Sequence, residues 1–375
     1  MRIVGQGILS APEAGGPRAV ATFPTITPLA DGSLLASYSI GSGKDTADLD
    51  LELRRSSDGG WSWGDPVRPF ETSFGGRRGS LKAGPITALG GERLIVAALW
   101  IDREAFPGAP LFNPDTEGCL PMAILVADSA DSGASWSPWR EVPMPDDVGP
   151  PSLTTALLRL PSGRLALSVE SNKPYLDRSK WFQRVVYAWS NDDGLTWTEP
   201  RTVCADPTGR IANWDQRTGV TREGDLVAFT WTYDFEAVAY RNITRRISRD
   251  EGATWSDAED LGFADQASHP AILPDGRVVL AWVDRFASRS IRARLSKRPD
   301  AAFQPETEVT IYQHPGIGGT SRQTTGDMLA DMGLWTFGLP YAEALPDGGV
   351  LVVYYAGREG SMGIHWARLA LDSSA

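Results

Sequence analysis

The sequence is poor in the residues that build disulfide frameworks and metal centres. It contains two cysteines, Cys119 and Cys204, and three histidines that lie far apart along 375 residues. Two thiols exclude a disulfide scaffold and a cysteine-based zinc cluster, so we expect no metal and no other cofactor. No apolar run reaches the ~18 residues of a membrane-spanning helix. We therefore expect no membrane association.

Positive charge is also scarce. The chain carries 36 Lys and Arg against 47 Asp and Glu, a formal net charge of −11. This balance excludes a nucleic-acid partner, because binding to a phosphate backbone depends on clustered Lys and Arg. The N-terminal residues contain no apolar segment of signal-peptide length, which predicts a cytoplasmic protein. The oligomeric state stays open.

Tryptophan and glycine are abundant, with 14 and 39 residues, and both are periodic. An eight-residue pattern, Ser-x-Asp-x-Gly-x-Ser/Thr-Trp, begins at Ser56, Ser129, Ser190 and Ser248, and residues 296–303 form a decayed copy. The Asp can accept hydrogen bonds from backbone amides further along the turn, and the Gly allows a positive φ. We interpret these octets as structural hairpin turns at the outer edge of the fold.

A second element precedes the octets. Six apolar runs are each interrupted by a glycine-containing turn and resemble β-hairpins. They span residues 25–38, 85–100, 155–169, 219–231, 271–283 and 343–355. Six such units predict an all-β fold, a six-bladed β-propeller of four-stranded blades that occupies residues 1–375 as one domain. Residues 2–9 supply the strand that completes the last blade, and residues 314–334 form an irregular insertion.

A propeller places its site where the inner strands converge on the central channel. The residues six positions before each hairpin turn share one level of that channel, and the chain beyond the second inner strand returns to the same end. The first set is Thr25, Gly84, Ala156, Arg217, His269 and Tyr341. The second set is polar and includes Asp45, Glu170 and Arg285. Burying these groups without a ligand or water would be costly.

The octets and the six units resemble the sialidase (neuraminidase) superfamily, whose Asp-box (BNR) repeat the octet matches. The resemblance implies a hydrolase with a carbohydrate substrate and places catalytic residues at three positions. Asp45, nine residues before Arg54, matches the acid/base Asp, and Asp48 is its neighbour and competitor. Tyr341 in LPYAEALPDGG matches the nucleophilic Tyr. Asp215 stands nearest to the family's Glu base, and Glu343 is a second candidate for that base.

The family's three-arginine clamp for the substrate carboxylate is incomplete here. Arg289 matches one arginine within one residue, and Arg285 lies close by. Thr22 replaces a second arginine, and Tyr355 replaces the Glu that supports it. The third position falls in residues 232–237, which contain no arginine. The candidate substitutes are Arg18, Arg77, Arg217 and Arg241.

Each lost contact to a carboxylate would cost about 1.5–3 kcal/mol. We therefore expect an exo-acting glycosidase for a terminal sugar other than ordinary sialic acid. Further substrate-binding candidates are His269, Arg217, Glu170, Asp48 and Trp335, and Trp231 and Trp282 are further stacking candidates. Two alternatives remain open. One is a lyase that uses a Tyr or His base and an Arg on a uronate, and the other is a sugar-binding propeller without activity.

Overall fold

The computed structural model describes residues 1–153, 155–316 and 324–371. It consists of antiparallel strands in chain order around a channel. The strands of the first three units are β1 (Arg2–Ser10), β2 (Val20–Pro28), β3 (Leu34–Gly41), β4 (Asp50–Ser56), β5 (Gly79–Ala83), β6 (Ile86–Gly90), β7 (Arg93–Asp102), β8 (Met122–Ser129), β9 (Arg140–Val142), β10 (Ser152–Leu153), β11 (Leu158–Arg159), β12 (Leu165–Glu170), β13 (Arg184–Ser190) and β14 (Arg201–Ala205).

The second half of the chain repeats this arrangement. Its strands are β15 (Ile211–Val220), β16 (Leu226–Asp234), β17 (Ala239–Tyr240), β18 (Thr244–Ser248), β19 (Glu259–Asp260), β20 (Gln266–Ala267), β21 (Ala271–Ile272), β22 (Val278–Asp284), β23 (Ser290–Ser296), β24 (Val309–Gln313), β25 (Phe337–Ala344), β26 (Val350–Arg358) and β27 (Ser361–Ala370). Two short 3-10 helices span Asp146–Val148 and Pro305–Thr307, and one α-helix, α1, spans Thr325–Leu334. None of the helices in the described ranges is long and apolar enough to cross a membrane.

The described strands form four five-stranded sheets and one seven-stranded sheet. The larger sheet runs β25-β26-β27-β2-β3-β4, and β1 pairs antiparallel with β27. A single parallel bridge, Val20 to Met362, joins β27 to β2. Each predicted hairpin is present as a pair of adjacent antiparallel strands, for example β2 with β3 and β25 with β26. The all-β prediction is therefore confirmed.

The inner strands contact one another in sequence around the channel. β2 contacts β6, β6 contacts β11, β11 contacts β15, β15 contacts β21, β21 contacts β25, and β25 contacts β2. The core lies between neighbouring sheets, where apolar faces pack against each other, as Leu53 and Leu81 do between the first two. This closed ring of inner strands defines a propeller.

The octet turns begin where β4, β8, β13 and β18 end and have the predicted hydrogen bonds. In the octet at Ser248, Asp250 Oδ1 accepts from Thr254 N (2.8 Å), while Ser248 Oγ accepts from Gly252 N (2.8 Å). The same pair of contacts recurs in the other three octets. The hydroxyl and amide donors lower the pKa of Asp58, Asp131 and Asp192 to about 2.

Part of the insertion predicted to be irregular is helical. Residues 325–334 form α1, and the rest of the insertion includes residues 317–323, which lie outside the described residues. Thr324 caps the helix: its side chain accepts from Asp327 N, and the Asp327 carboxylate accepts from Thr324 N. This capping box is written in the sequence as Thr-x-x-Asp and is the signal that predicts a helix start here.

Candidate functional site

Bulges in three inner strands direct side chains into the channel. The pairing register shifts between Thr22 and Thr25 in β2 and between Trp214 and Arg217 in β15, and β25 has a similar shift. At each shift a non-glycine residue takes a positive φ: Phe23 (53°), Asp215 (48°) and Leu339 (46°). A bulge reorients the side chain of its extra residue. All three of these side chains line the same cavity.

This cavity, cavity one, has a volume of about 140 Å³. One wall is a chain of four tryptophans, Trp181, Trp214, Trp231 and Trp335, with successive ring centroids 5.6–5.7 Å apart. Helix α1 covers it with Leu329 and Met332, and the other lining residues include Phe23, Lys44, Asp45, Lys82, Glu170, Asn172, Asp215, Gln266, Leu339 and Tyr355. Three carboxyl groups and two lysines therefore face one largely aromatic enclosure.

Asp45 is held by an ion pair. Lys82 on β5 donates to Asp45 Oδ1, and the Lys82 ammonium also lies 5.1 Å from the centre of the Phe23 ring. Burial raises the pKa of Asp45, but Lys82 and Lys44 outweigh it, so the pKa of this carboxyl stays below its usual 3.8. Burial also lowers the pKa of Lys82. Asp45 is therefore ionised at neutral pH and in this state can accept a proton.

Asp215 belongs to a buried network of side-chain hydrogen bonds. Its Oδ2 accepts from Gln266 Nε2 (2.6 Å), and its Oδ1 accepts from Arg217 Nη2 (3.3 Å). Gln266 Oε1 in turn accepts from Arg285 Nη2 (3.1 Å). The Arg285 guanidinium also donates to the carbonyl of Phe337 and stacks 3.9 Å above the Trp335 ring. This network connects the carboxyl group of Asp215 to the tryptophan wall and holds both in place.

Tyr355 brings a phenol to the same cavity. It is buried on β26, and its Oη accepts from Lys44 Nζ at 3.1 Å. Burial raises the pKa of Tyr355 to about 12, although Arg285 and Lys82 oppose this rise. The phenol is therefore protonated at neutral pH. In the resemblance to sialidases, Tyr355 occupies the position of a glutamate. The sequence analysis therefore identified this position but gave Tyr355 no role of its own.

Tyr341, the residue matched to the nucleophile, lines a different space. It stacks on His269 with ring centroids 4.4 Å apart and planes at 5°. Both rings line a second cavity, cavity two, which has a volume of about 200 Å³ and lies towards the hairpin turns. Glu343 also lines cavity two. Burial raises the pKa of Glu343 to about 8 and lowers the pKa of His269 to about 3. The structure therefore separates Tyr341 and His269 from Asp45.

The remaining sequence candidates divide between the cavity and the surface. Glu170 and Trp335 line cavity one, as does Trp231, whereas Trp282 packs against Phe263 in the core. Asp48 lies in an exposed turn, where it accepts from Ser42, and Arg289 donates to the carbonyl of Gly316.

The substitute arginines are engaged elsewhere. Arg18 pairs with Glu52, while Arg77 pairs with Asp102 and Arg241 with Asp234. Of the arginines considered, only Arg285 and Arg217 reach residues of cavity one, so no three-arginine clamp forms among the described residues. Nor do those residues include a group of three His, Cys, Asp or Glu side chains placed to hold a metal ion.

Comparison with solved structures finds a similar propeller fold in several proteins. A Dyadobacter fermentans protein of unknown function is similar over 99% of both chains, with 22% identity and a TM-score of 0.76. A Penicillium chrysogenum α-L-arabinanase complexed with arabinobiose is similar over 100% of both chains, with 15% identity and a TM-score of 0.68. The NanB sialidase of Streptococcus pneumoniae, as its K499G mutant, covers 96% of this chain and 70% of its own, with 13% identity and a TM-score of 0.66.

At these identities the similarity shows the fold and leaves the chemistry to be argued from the site. No protein-family model matches the chain. No curated protein matches it either. The class defined by the fold is that of the β-propellers to which sialidases and an arabinanase belong.

Proposed function

We propose that the chain is a glycoside hydrolase that binds a terminal sugar in cavity one. The observation that carries this proposal is the meeting of Asp45, Glu170 and Asp215 in one enclosure walled by four tryptophans. Glycoside hydrolysis generally needs two carboxyl groups beside the scissile bond. Aromatic faces offer flat apolar surfaces for the C–H face of a sugar ring.

We further propose that the fold consists of six blades in one domain. The seven-stranded sheet has two halves, β2-β3-β4 and β25-β26-β27-β1, and one parallel bridge connects them. Counting these halves as separate blades, together with the four five-stranded sheets, makes six. The octets then correspond to the Asp-box turns of the sialidase superfamily.

The charges favour particular roles. Asp45 is ionised beside Lys82 and is a proton acceptor in this proposal, not the resting acid that the family comparison implies. Tyr355 replaces Tyr341 as the phenol that meets the sugar. Arg285 stacks on Trp335 of the tryptophan wall. The absence of a three-arginine clamp among the described residues supports a sugar other than ordinary sialic acid.

A lyase on the same site is the second candidate function. It is favoured by the hydrogen bond between Lys44 and Tyr355 beside Arg285, because a lyase needs a base for the proton alpha to a uronate carboxylate and a cation to neutralise that carboxylate. A lyase consumes no water and leaves an unsaturated product that absorbs in the near ultraviolet, which separates the two reactions.

The test is turnover of a panel of methylumbelliferyl glycosides, sialic acid included, by the wild type and by Asp45→Asn, Glu170→Gln and Asp215→Asn. Glu343→Gln in cavity two is the matched control. We expect one glycoside to be hydrolysed and at least two of the cavity-one variants to lose about 100-fold or more in kcat/KM. The control should keep wild-type activity.

Loss of activity in Glu343→Gln alone would move the site to cavity two. Folded protein that hydrolyses no glycoside but releases an ultraviolet-absorbing product from uronate oligosaccharides would establish the lyase. Turnover of the sialic acid glycoside would contradict the inference drawn from the arginines.

A further inference from the structure

Lys44 has an unusual environment for a lysine. It lies in the turn between β3 and β4, and its ammonium donates to the carbonyls of Met332 (2.5 Å) and Trp335 (3.1 Å) at the C-terminal end of α1 and to Tyr355 Oη (3.1 Å). It also lies 5.1 Å from the centre of the Tyr355 ring. The three acceptors are neutral oxygens, so the ammonium is bound through dipoles.

The charges around Lys44 act in both directions. Asp45 favours its charged form, Arg285 opposes it, and Lys82 lies close enough to interact with it. Burial has the largest effect, and together these influences lower the pKa of Lys44 from its usual 10.5 to about 7. Since the carboxyl of Asp45 is ionised and the phenol of Tyr355 is protonated at neutral pH, Lys44 is the group hydrogen-bonded to the phenol whose pKa lies near 7.

We propose that Lys44 and Tyr355 together form the general acid of the site, with the phenol donating to the leaving group and the ammonium resupplying its proton. This inference rests on the proposed glycoside hydrolysis in cavity one. A phenol alone is a weak acid for this task, because general acids work best with a pKa near the working pH. An ammonium hydrogen-bonded to the phenol oxygen removes this difficulty, since it stabilises the developing phenolate.

The step balances as follows. Asp45 accepts a proton from water while the water oxygen bonds to the anomeric carbon. The bond between that carbon and the leaving oxygen breaks, its electron pair goes to the leaving oxygen, and this oxygen takes the proton of Tyr355 Oη. Lys44 then transfers an ammonium proton to Tyr355 Oη. The amine regains a proton from solvent, and Asp45 releases its proton to solvent.

The sign of the pH dependence follows from the protonation state required. Below about pH 7 Lys44 is charged and can donate; above it the folded protein holds a neutral amine that cannot. The activity should therefore fall as the pH rises through about 7. Lys44→Arg keeps a cation beside Tyr355 that stabilises the developing phenolate but does not deprotonate in this range, so in this variant Tyr355 Oη regains its proton from solvent.

The experiment compares the pH profile of kcat/KM for the wild type, Lys44→Arg, Lys44→Met and Tyr355→Phe on the glycoside found above. We expect the alkaline limb near pH 7 to move upward by at least about one unit in Lys44→Arg. Lys44→Met and Tyr355→Phe should lose about 100-fold below about pH 7, and the deficit of Lys44→Met should shrink at higher pH as the wild-type lysine deprotonates. Thermal unfolding establishes that each variant is folded.

A second readout does not depend on turnover. The chain has five lysines, so ¹³C-lysine NMR can follow each Cε resonance with pH. One lysine should titrate near pH 7 and be missing from the spectrum of Lys44→Arg. If no lysine titrates below about pH 9, the inference is overturned.

The outcomes separate the two proposals. A Lys44 that only anchors α1 predicts that Lys44→Arg keeps the wild-type alkaline limb, and turnover with that result would overturn the acid role alone. Absence of turnover on every glycoside would overturn the proposed function and this inference with it.

Discussion

The ion pair between Lys82 and Asp45 offers a sharp test of the site electrostatics. In Lys82→Met the ammonium is lost and an apolar chain of similar length remains, which leaves Asp45 in the wall of cavity one without the partner that holds its pKa down. Removing one member of a fully buried pair costs about 3–5 kcal/mol, whereas an exposed pair contributes under about 1 kcal/mol. The side chain of Lys82 is 10% exposed and that of Asp45 is 31% exposed. We therefore expect a loss of about 2 kcal/mol in the free energy of unfolding.

The loss should depend on pH in a defined direction. In the wild type the pKa of Asp45 is lowered, so its contribution to stability is present above the unfolded value of 3.8 and disappears as the pH falls through the folded value. In Lys82→Met burial dominates and raises the pKa of Asp45. Its carboxyl therefore becomes protonated at a higher pH than in the wild type, and the loss of unfolding free energy disappears once it is protonated. The gap between the two proteins should therefore be largest at about pH 7 and narrow towards about pH 4.

Urea unfolding at both pH values measures this gap. The double variant Asp45→Asn with Lys82→Met should recover at least half of the lost stability, because both charges are gone. Lys297→Met, which removes an exposed lysine, is the matched control and should change little. A Lys82→Met protein as stable as the wild type at about pH 7, or a double variant no more stable than the single one, would refute the reasoning.

Three further predictions concern single positions. Gly338 has a φ of 151°, and an added Cβ would lie 2.8 Å from the Arg285 guanidinium. Gly338→Ala should therefore lose about 1–3 kcal/mol of unfolding free energy, measured in urea, and most of the turnover. Gly32→Ala is the control: it has open space around it and should show only the cost of a positive φ in a residue other than glycine. Ser248→Ala removes the acceptor for a buried amide, so we expect about 1–3 kcal/mol of destabilisation with unchanged kcat/KM, and an unchanged unfolding midpoint would contradict the octet's role. Both cysteines are buried and burial raises their thiol pKa, so Ellman's reagent should react only on unfolding, and rapid reaction with the native protein would show that they are exposed.

The residues of the sequence predicted the architecture through local rules. The period-two hairpins and the octet turns depend on contacts within about ten residues, and turn chemistry of this kind can be predicted from the chain alone. The same patterns predict an all-β propeller, and the level at which the strands end brings Asp45 and Glu170 to the channel. Asp215 was a candidate through the sialidase resemblance, and Trp335 was a candidate as an aromatic that stacks on a sugar ring. All four line cavity one. The helix in the insertion was missed although its capping box is local.

The tertiary structure decided which tyrosine lines cavity one. Tyr341 and Tyr355 belong to one hairpin, and a register shift between Gly338 and Tyr341 sends Leu339 into cavity one and leaves Tyr341 stacked on His269. Gly338 and Pro340 flank Leu339, and both residue types mark bulges in strands, so the sequence carries a signal for the bulge itself but not for the cavity that each side chain enters.

The low pKa of Lys44 is likewise a product of assembly. It requires the end of α1, Arg285 and Tyr355, which are more than 200 residues away in the chain, to enclose one ammonium. Local propensity thus determined the strands and turns of this protein. Desolvation and packing between residues far apart in the sequence decided which side chains line cavity one and how their pKa values are shifted.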